Sequence, residues 1–313
     1  MVNFILRRML AAIPVMAMVA VIVFAILRLT PGDPAAIIAG DSATAEQLDQ
    51  IRRVMGLDQP IYMQFFIWIG QLVRGDLGVS LLSGTPVSQM IVDRMGPSLA
   101  LCLSTITLSV LLALPLGILA AWRQGKLLDR FVMATSVLGF SVPVFVTAYL
   151  LILVFSLKLG WFPVQGYRSP DEGLWMFVRS LTLPTLALST VYVALIARIT
   201  RTSIIEVMGE DFIRTARAKG LRERGVLLGH ALRNAAVPIV TIIGVGIALL
   251  ISGVVVTESV FNLPGLGRLV VEAVLGRDYP VIQALILLFA FIYVLINLVV
   301  DTLYTVFDPR IRY

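Results

Sequence analysis

The 313-residue sequence is poor in the residue types that most site chemistry requires. It has one cysteine, Cys102, inside an apolar run, which excludes a disulfide framework and a thiolate metal cluster; a small buried apolar residue is the plainer reading. It has one histidine, His230, which excludes HExxH zinc chemistry and any multi-histidine site. No GxxxxGK[ST] occurs, so the chain does not bind ATP through a P-loop, and any ATP that powers it acts on another subunit. Charge is scarce as well. With 14% charged and 58% hydrophobic residues and a mean hydropathy of +0.94, there is too little polar surface for a soluble chain of this length. What remains is an all-α polytopic membrane protein.

Uncharged apolar runs recur at Met9–Leu27, Met95–Trp122, Phe131–Leu157, Ser180–Ala197, Ala235–Thr257 and Tyr279–Val300. At about 1.5 Å rise per residue, each can cross a hydrocarbon layer of about 30 Å. Six spanning helices are expected, which places both termini on one side. The first run follows Arg7 and Arg8 and is too long for a signal core, so it reads as a retained first helix. The side of the N-terminus carries 15 Lys and Arg and 7 acids, the other side 10 and 12, a net of +8 against −2. By the positive-inside rule the basic side, with both termini, is cytoplasmic. The chain thus divides into the N-terminus and first helix (1–29), an external helical insertion (30–94) and a five-helix core (95–313) with a long basic loop at 198–234.

The insertion opens with Pro31-Gly32-Asp33-Pro34, which cannot continue a helix. Thr44-Ala45-Glu46-Gln47 fits a capping box, leading into a helix with Leu48, Ile51, Val54 and Met55 before Gly56. A second helix, 62–73, puts Tyr62, Phe65, Ile69 and Leu72 on one face. That face suits packing on spanning helices better than the membrane interface, because no strongly basic polar face accompanies it.

Two runs carry weakly polar stripes: Ser98, Cys102, Thr105 and Ser109 in the second, and Thr182, Thr185, Ser189 and Tyr192 in the fourth. Each could line a hydrated pathway for a polar solute; the plainer reading of each is a row of small residues and hydroxyls that lets helices pack closely in lipid. Pro115, Pro143 and Pro184 are expected to interrupt these helices, and Gly244, Gly246 and Gly253 to allow a neighbour close to the fifth. Glu258, at the outer end of a span, could meet a cationic group of a solute; the plainer reading is a solvated helix end or a pair with Arg268.

The most charged stretch is Asp211–Pro238, DFIRTARAKGLRERGVLLGHALRNAAVP, with Arg214, Arg217, Lys219, Arg222, Arg224 and Arg233 close together. So many charges exclude a bilayer core. Interleaved Phe212, Ile213, Ala216, Ala218, Leu221, Leu227 and Leu228 suit short helices with one face to dock, punctuated by Gly220, Gly225 and Gly229.

RTARAKGL followed by HALRNA resembles the coupling loop of ABC importer permeases of the dipeptide, oligopeptide and nickel family. That family's general motif is Glu-Ala-Ala, three residues, Gly, nine residues, Ile-x-Leu-Pro. With its glycine on Gly220, Arg214, Thr215 and Ala216 take the Glu-Ala-Ala positions, His230 the Ile, Leu232 the Leu and Arg233 the Pro. Ala216, Gly220 and Leu232 agree, whereas Arg214 replaces the glutamate, so no role of that acid carries over. LRLTPGDPA, MGLDQPIYMQF, RGDLGVS, ESVFNLPGLGRLVVEAV, RDYPVIQ and NLVVDTLYTVFDPRIRY also resemble this family, from RRMLAAIP to the last residue.

The resemblance implies a permease subunit in a bacterial inner membrane that carries di- or oligopeptides, or a solute such as glutathione or nickel. It implies a second permease, two ATPase subunits holding ATP and Mg, an external binding protein, and no cofactor or nucleic acid on this chain. Asp211, Arg214, Thr215, Ala216, Arg217, Ala218, Lys219 and Gly220 would form the ATPase-coupling segment. An ion-coupled transporter or channel would need ionisable groups near mid-membrane, and none of the six runs has one. An intramembrane protease would need a nucleophile with its base or paired aspartates, which are missing too.

Overall fold

The computed structural model describes residues 2–29, 35, 44–54 and 58–307. Among them regular structure is helical, apart from one isolated antiparallel bridge between Val79 and Pro86. The Pro31–Pro34 opening, Met55, Gly56 and residues 308–313 lie outside the described residues, as do the side chains of Ile51 and Val54. In chain order the helices are α1 (Val2–Leu29), α2 (Ala45–Val54), α3 (Ile61–Val73), α4 (Val87–Trp122), α5 (Leu127–Ser141) and α6 (Val144–Leu151). They continue with α7 (Leu174–Met208), α8 (Asp211–Ala218), α9 (Glu223–Asn234), α10 (Ala236–Val260), α11 (Leu266–Leu275) and α12 (Tyr279–Phe307).

Four of these helices, α1, α4, α7 and α12, are long and apolar enough to cross a membrane alone. Two bent pairs bring the number to six if each pair is one span: α5 with α6 and its continuation to Lys158, bent by 101°, and α9 with α10, bent by 58°. The first bend has a local cause. Pro143 pushes the residue before it out of the helical region, and Val142 accordingly sits at φ −84°, ψ 123°. Pro115 and Pro184 behave otherwise than expected, since α4 and α7 continue through them. α6 runs on as a π-helix over Ile152–Lys158, and α9 is π-wound at Val226–Ala231.

The chain forms two compact units. One is built on Leu6–Gly96 with Gly265–Val294. Here the capping box holds: Thr44 N–H donates to Gln47 Oε1 at 2.9 Å, and Gln47 N–H to Thr44 Oγ1 at 3.3 Å. Val87 and Ile91 of α4 pack with Leu266, Leu269 and Ala273 of α11 and with Val281, Ile282 and Leu285 of α12. Asp278, buried, accepts hydrogen bonds from the Ser80 hydroxyl and from Leu81 N–H, fixing the loop between α3 and α4.

The other unit is built on Pro97–Pro264 with the chain from Leu295 onward. Its centre is α7, whose apolar window is 67% buried against 17–28% in the other three single spans. α5, α6 and α10 pack on it. The core includes Leu101, Leu181, Leu188, Tyr192, Ile196, Leu250 and Phe261. Close approach relies on glycine: a Cβ on Gly117 would lie 2.7 Å from Thr200 Cβ and 2.8 Å from the Ala197 carbonyl oxygen, and one on Gly244 only 2.2 Å from Val300 Cγ2. The expected role of Gly244, Gly246 and Gly253 is seen in their neighbours, Val300, Tyr192 and Leu188.

Candidate functional site

The basic stretch folds as α8, a turn, and α9. Asp211 lies in the first turn of α8, where a negative charge offsets the unpaired N–H groups of the helix start. The end of α8 is a Schellman turn: Leu221 N–H bonds to the Ala216 carbonyl at 3.4 Å and Gly220 N–H to the Arg217 carbonyl at 2.9 Å. Gly220 takes φ +82°, which only glycine enters without steric cost.

One face of α8 is already occupied by the chain itself. Ile213 and Ala216 are buried with Ile204, Val226, Leu227, Ala231, Ala235 and Ile239. The apolar residues expected on one docking face therefore divide. Ile213, Ala216 and Leu227 hold α8 and α9 onto the helix ends, whereas Phe212, Ala218, Leu221 and Leu228 stay exposed with Arg214, Thr215, Arg217, Lys219 and Gly220. Arg217 clamps the turn, its guanidinium donating to both oxygens of Glu223 at 2.8 and 3.3 Å. Arg214 pairs with Asp211 at 3.1 Å on an exposed surface, a contact of little energetic weight. Arg224 lies over the Trp122 ring at 5.7 Å.

Near the base of this stretch the sequence reading missed a pair. Arg201, late in α7, forms a two-pronged ion pair with buried Asp129 at the start of α5, its Nη2 2.8 Å from Oδ2. Gly125 N–H also donates to Asp129, at 2.8 Å. The available signal was Asp129 itself, the lone acid among Arg123, Lys126 and Arg130.

Apart from half-buried Thr182, the pathway candidates are buried. Ser98, Thr105 and Ser109 line one face of α4, and that face continues through Ala113, Gly117 and Ala120, all buried. At two points it meets α7: beside the stripe, Ser104 bonds Thr185 at 2.8 Å, and lower down Gly117 meets Ala197 and Thr200. Thr182 returns its hydroxyl to the Val178 carbonyl at 2.7 Å and Ser189 to the Leu186 carbonyl at 3.0 Å, while Tyr192 is buried against Gly246 and Gly253. Glu258 is not a solvated helix end. It is fully buried, and the Ser98 hydroxyl donates to it, so two separately chosen candidates meet. Arg268 is engaged with Glu272 at 2.8 Å, in an ion pair that Arg94 joins.

The fold matches a chain of the methionine ABC transporter MetNI in an inward-facing crystal form, with a TM-score of 0.59 at 18% identity, covering 71% of this chain and 97% of that one. The fold is thus one shared with a chain of an ABC transporter. Residues 113–313 match the family described as binding-protein-dependent transport system inner membrane component, and residues 1–104 match its N-terminal companion; the chain belongs to this family. The protein named probable peptide ABC transporter permease protein y4tP, of Sinorhizobium fredii strain NGR234, is 50% identical over 310 residues, 99% of each chain. The glutathione transport system permease protein GsiC of Escherichia coli K12 is 45% identical over the full length of both. The chain is a multi-pass inner-membrane permease subunit of an ABC importer, not itself an enzyme, and such a family works with an ATPase and a substrate-binding protein.

Proposed function

We propose that this permease passes di- or oligopeptides, or a related small solute such as glutathione or nickel, delivered by an external binding protein. Its full-length similarity to peptide and glutathione permeases supports that substrate class. In this reading it pairs with a second permease of similar fold and two ATPase subunits that hold ATP and Mg, and both termini face the cytoplasm. α8 is the segment that docks on an ATPase subunit. The observation that carries this assignment is the division of α8: Ile213 and Ala216 pack on the chain's own helices, while Phe212, Arg214, Thr215 and Ala218, with Lys219 just after them, remain exposed. A helix anchored on one side and bare on the other transmits a push into the spanning helices behind it.

The test is purification of the tagged chain from its native membrane in mild detergent, with every co-purifying polypeptide identified. A second permease, P-loop ATPases and a secreted binding protein are expected, and the ligand of that binding protein names the solute. Recovery of the chain alone, transporting without an ATPase, would overturn the reading.

A further inference from the structure

We propose that α3 is an interfacial helix whose bare face lies in the bilayer, at the boundary of headgroups and acyl chains on the side reached by the C-terminal end of α1. Its sequence, IYMQFFIWIGQLV, has no charge in 13 residues, yet none of its residues is fully buried. One side is held by α1: the Phe65 ring meets Phe24 edge-on at 5.3 Å, and Trp68 stacks on Phe24 at 5.7 Å. The expected packing on a spanning helix therefore exists, but it uses only part of the helix. Ile61, Tyr62, Phe66 and Val73 are each 64–82% exposed, and Ile67 is about half exposed. That is too much contiguous apolar surface to face water.

Depth decides what covers it. α1 is a spanning helix with an apolar stretch Leu6–Ile26, and Phe24 lies two residues from its end. At about 1.5 Å per residue, the ring cluster sits about 3 Å inside the edge of the hydrocarbon layer. On α1, Met18, Val21, Ile22 and Ile26 are exposed where the helix faces lipid. The bilayer that covers Ile22 and Ile26 reaches a helix held at the level of Phe24. Thirteen residues span about 20 Å, too short to cross. Tyr62 and Trp68 are rings with one polar atom, suited to the interface, and Asp58, Gln59, Arg74 and Asp76 flank the helix in the headgroup zone. Without a basic face the attachment does not depend on anionic lipid; apolar burial and the tether to α1 supply it.

The test places a spin label on single cysteines at Phe66→Cys, Ile67→Cys and Arg74→Cys in a Cys102→Ser chain, assembled with its partner subunits in nanodiscs. Collision with oxygen, which partitions into lipid, is compared with collision with a water-soluble nickel chelate. The expected result is an oxygen-to-nickel ratio several-fold higher at positions 66 and 67 than at 74. A nickel accessibility at 66 and 67 equal to that at 74 would place the face in water. Low accessibility to both probes would mean that protein covers it, and either result overturns the proposal. Two independent positions keep the test readable if one variant fails to insert.

Discussion

At the scale of single residues, the basic stretch turns on Gly220 and on the Arg217–Glu223 pair. A β-branched residue at φ +82° costs about 1–2 kcal/mol and forces the turn after α8 to reopen. Gly220→Val is therefore expected to cut uptake several-fold while the chain still inserts and the complex still hydrolyses ATP, and Gly220→Asn, which tolerates this conformation, to cut it less. Uptake unchanged in the valine variant would remove α8 from coupling. Arg217→Glu sets two like charges together across the turn, and a measurable loss of uptake is expected. Because the bonds to Glu223 lie within the chain, the swap Arg217→Glu with Glu223→Arg should restore it. Failure of the swap would mean that Arg217 is needed by a partner subunit instead. The loop was visible in sequence from its charges, but the partner of Arg217 was not, because six residues of separation across a turn carry no helical register. Asp129 and Arg201 escaped notice for a stronger reason: 72 residues separate them.

At the scale of elements, the apolar runs predicted where helices lie but not how each would bend. Pro115, Pro143 and Pro184 look alike in sequence. Only Pro143 breaks its helix, at a residue free to become extended, whereas α4 and α7 stay continuous through theirs. The weakly polar stripe of α4 was legible as a face, and its continuation into Ala113, Gly117 and Ala120 marks that face as the one turned to neighbouring helices. Gly117 sets the approach of α4 to α7, because the Ala197 carbonyl oxygen that a Cβ would meet at 2.8 Å is backbone and cannot rotate away. Gly117→Leu is expected to destabilise the chain by about 1–3 kcal/mol or more, read as a lower melting temperature in detergent. Gly96→Ala in the same helix, with open space around it, should leave melting unchanged or raise it slightly. Equal behaviour of the two variants would refute a tight α4–α7 contact.

At the scale of the whole molecule, charge asymmetry makes a prediction about sidedness. In a Cys102→Ser chain in intact cells, an impermeant maleimide should label Ser83→Cys, on the exposed loop before α4, and leave Lys219→Cys unlabelled until the cells are opened. Labelling of Lys219→Cys from outside would invert the topology and remove α8 from reach of a cytoplasmic ATPase. The sequence by itself determined the class of protein, since scarce charge and long apolar runs admit only a helical membrane chain. It also determined the family, carried by motifs spread from end to end, and the position of the basic loop, because such charge density cannot enter lipid. The tertiary structure alone decided which residues meet: that Glu258 is buried with Ser98, that Ile213, Ala216 and Leu227 of the basic stretch serve the chain's own packing, and that Asp129 holds Arg201. Burial and pairing depend on contacts between helices far apart in the chain, and hydrophobic periodicity along one helix shows which face is apolar without showing which neighbour covers it.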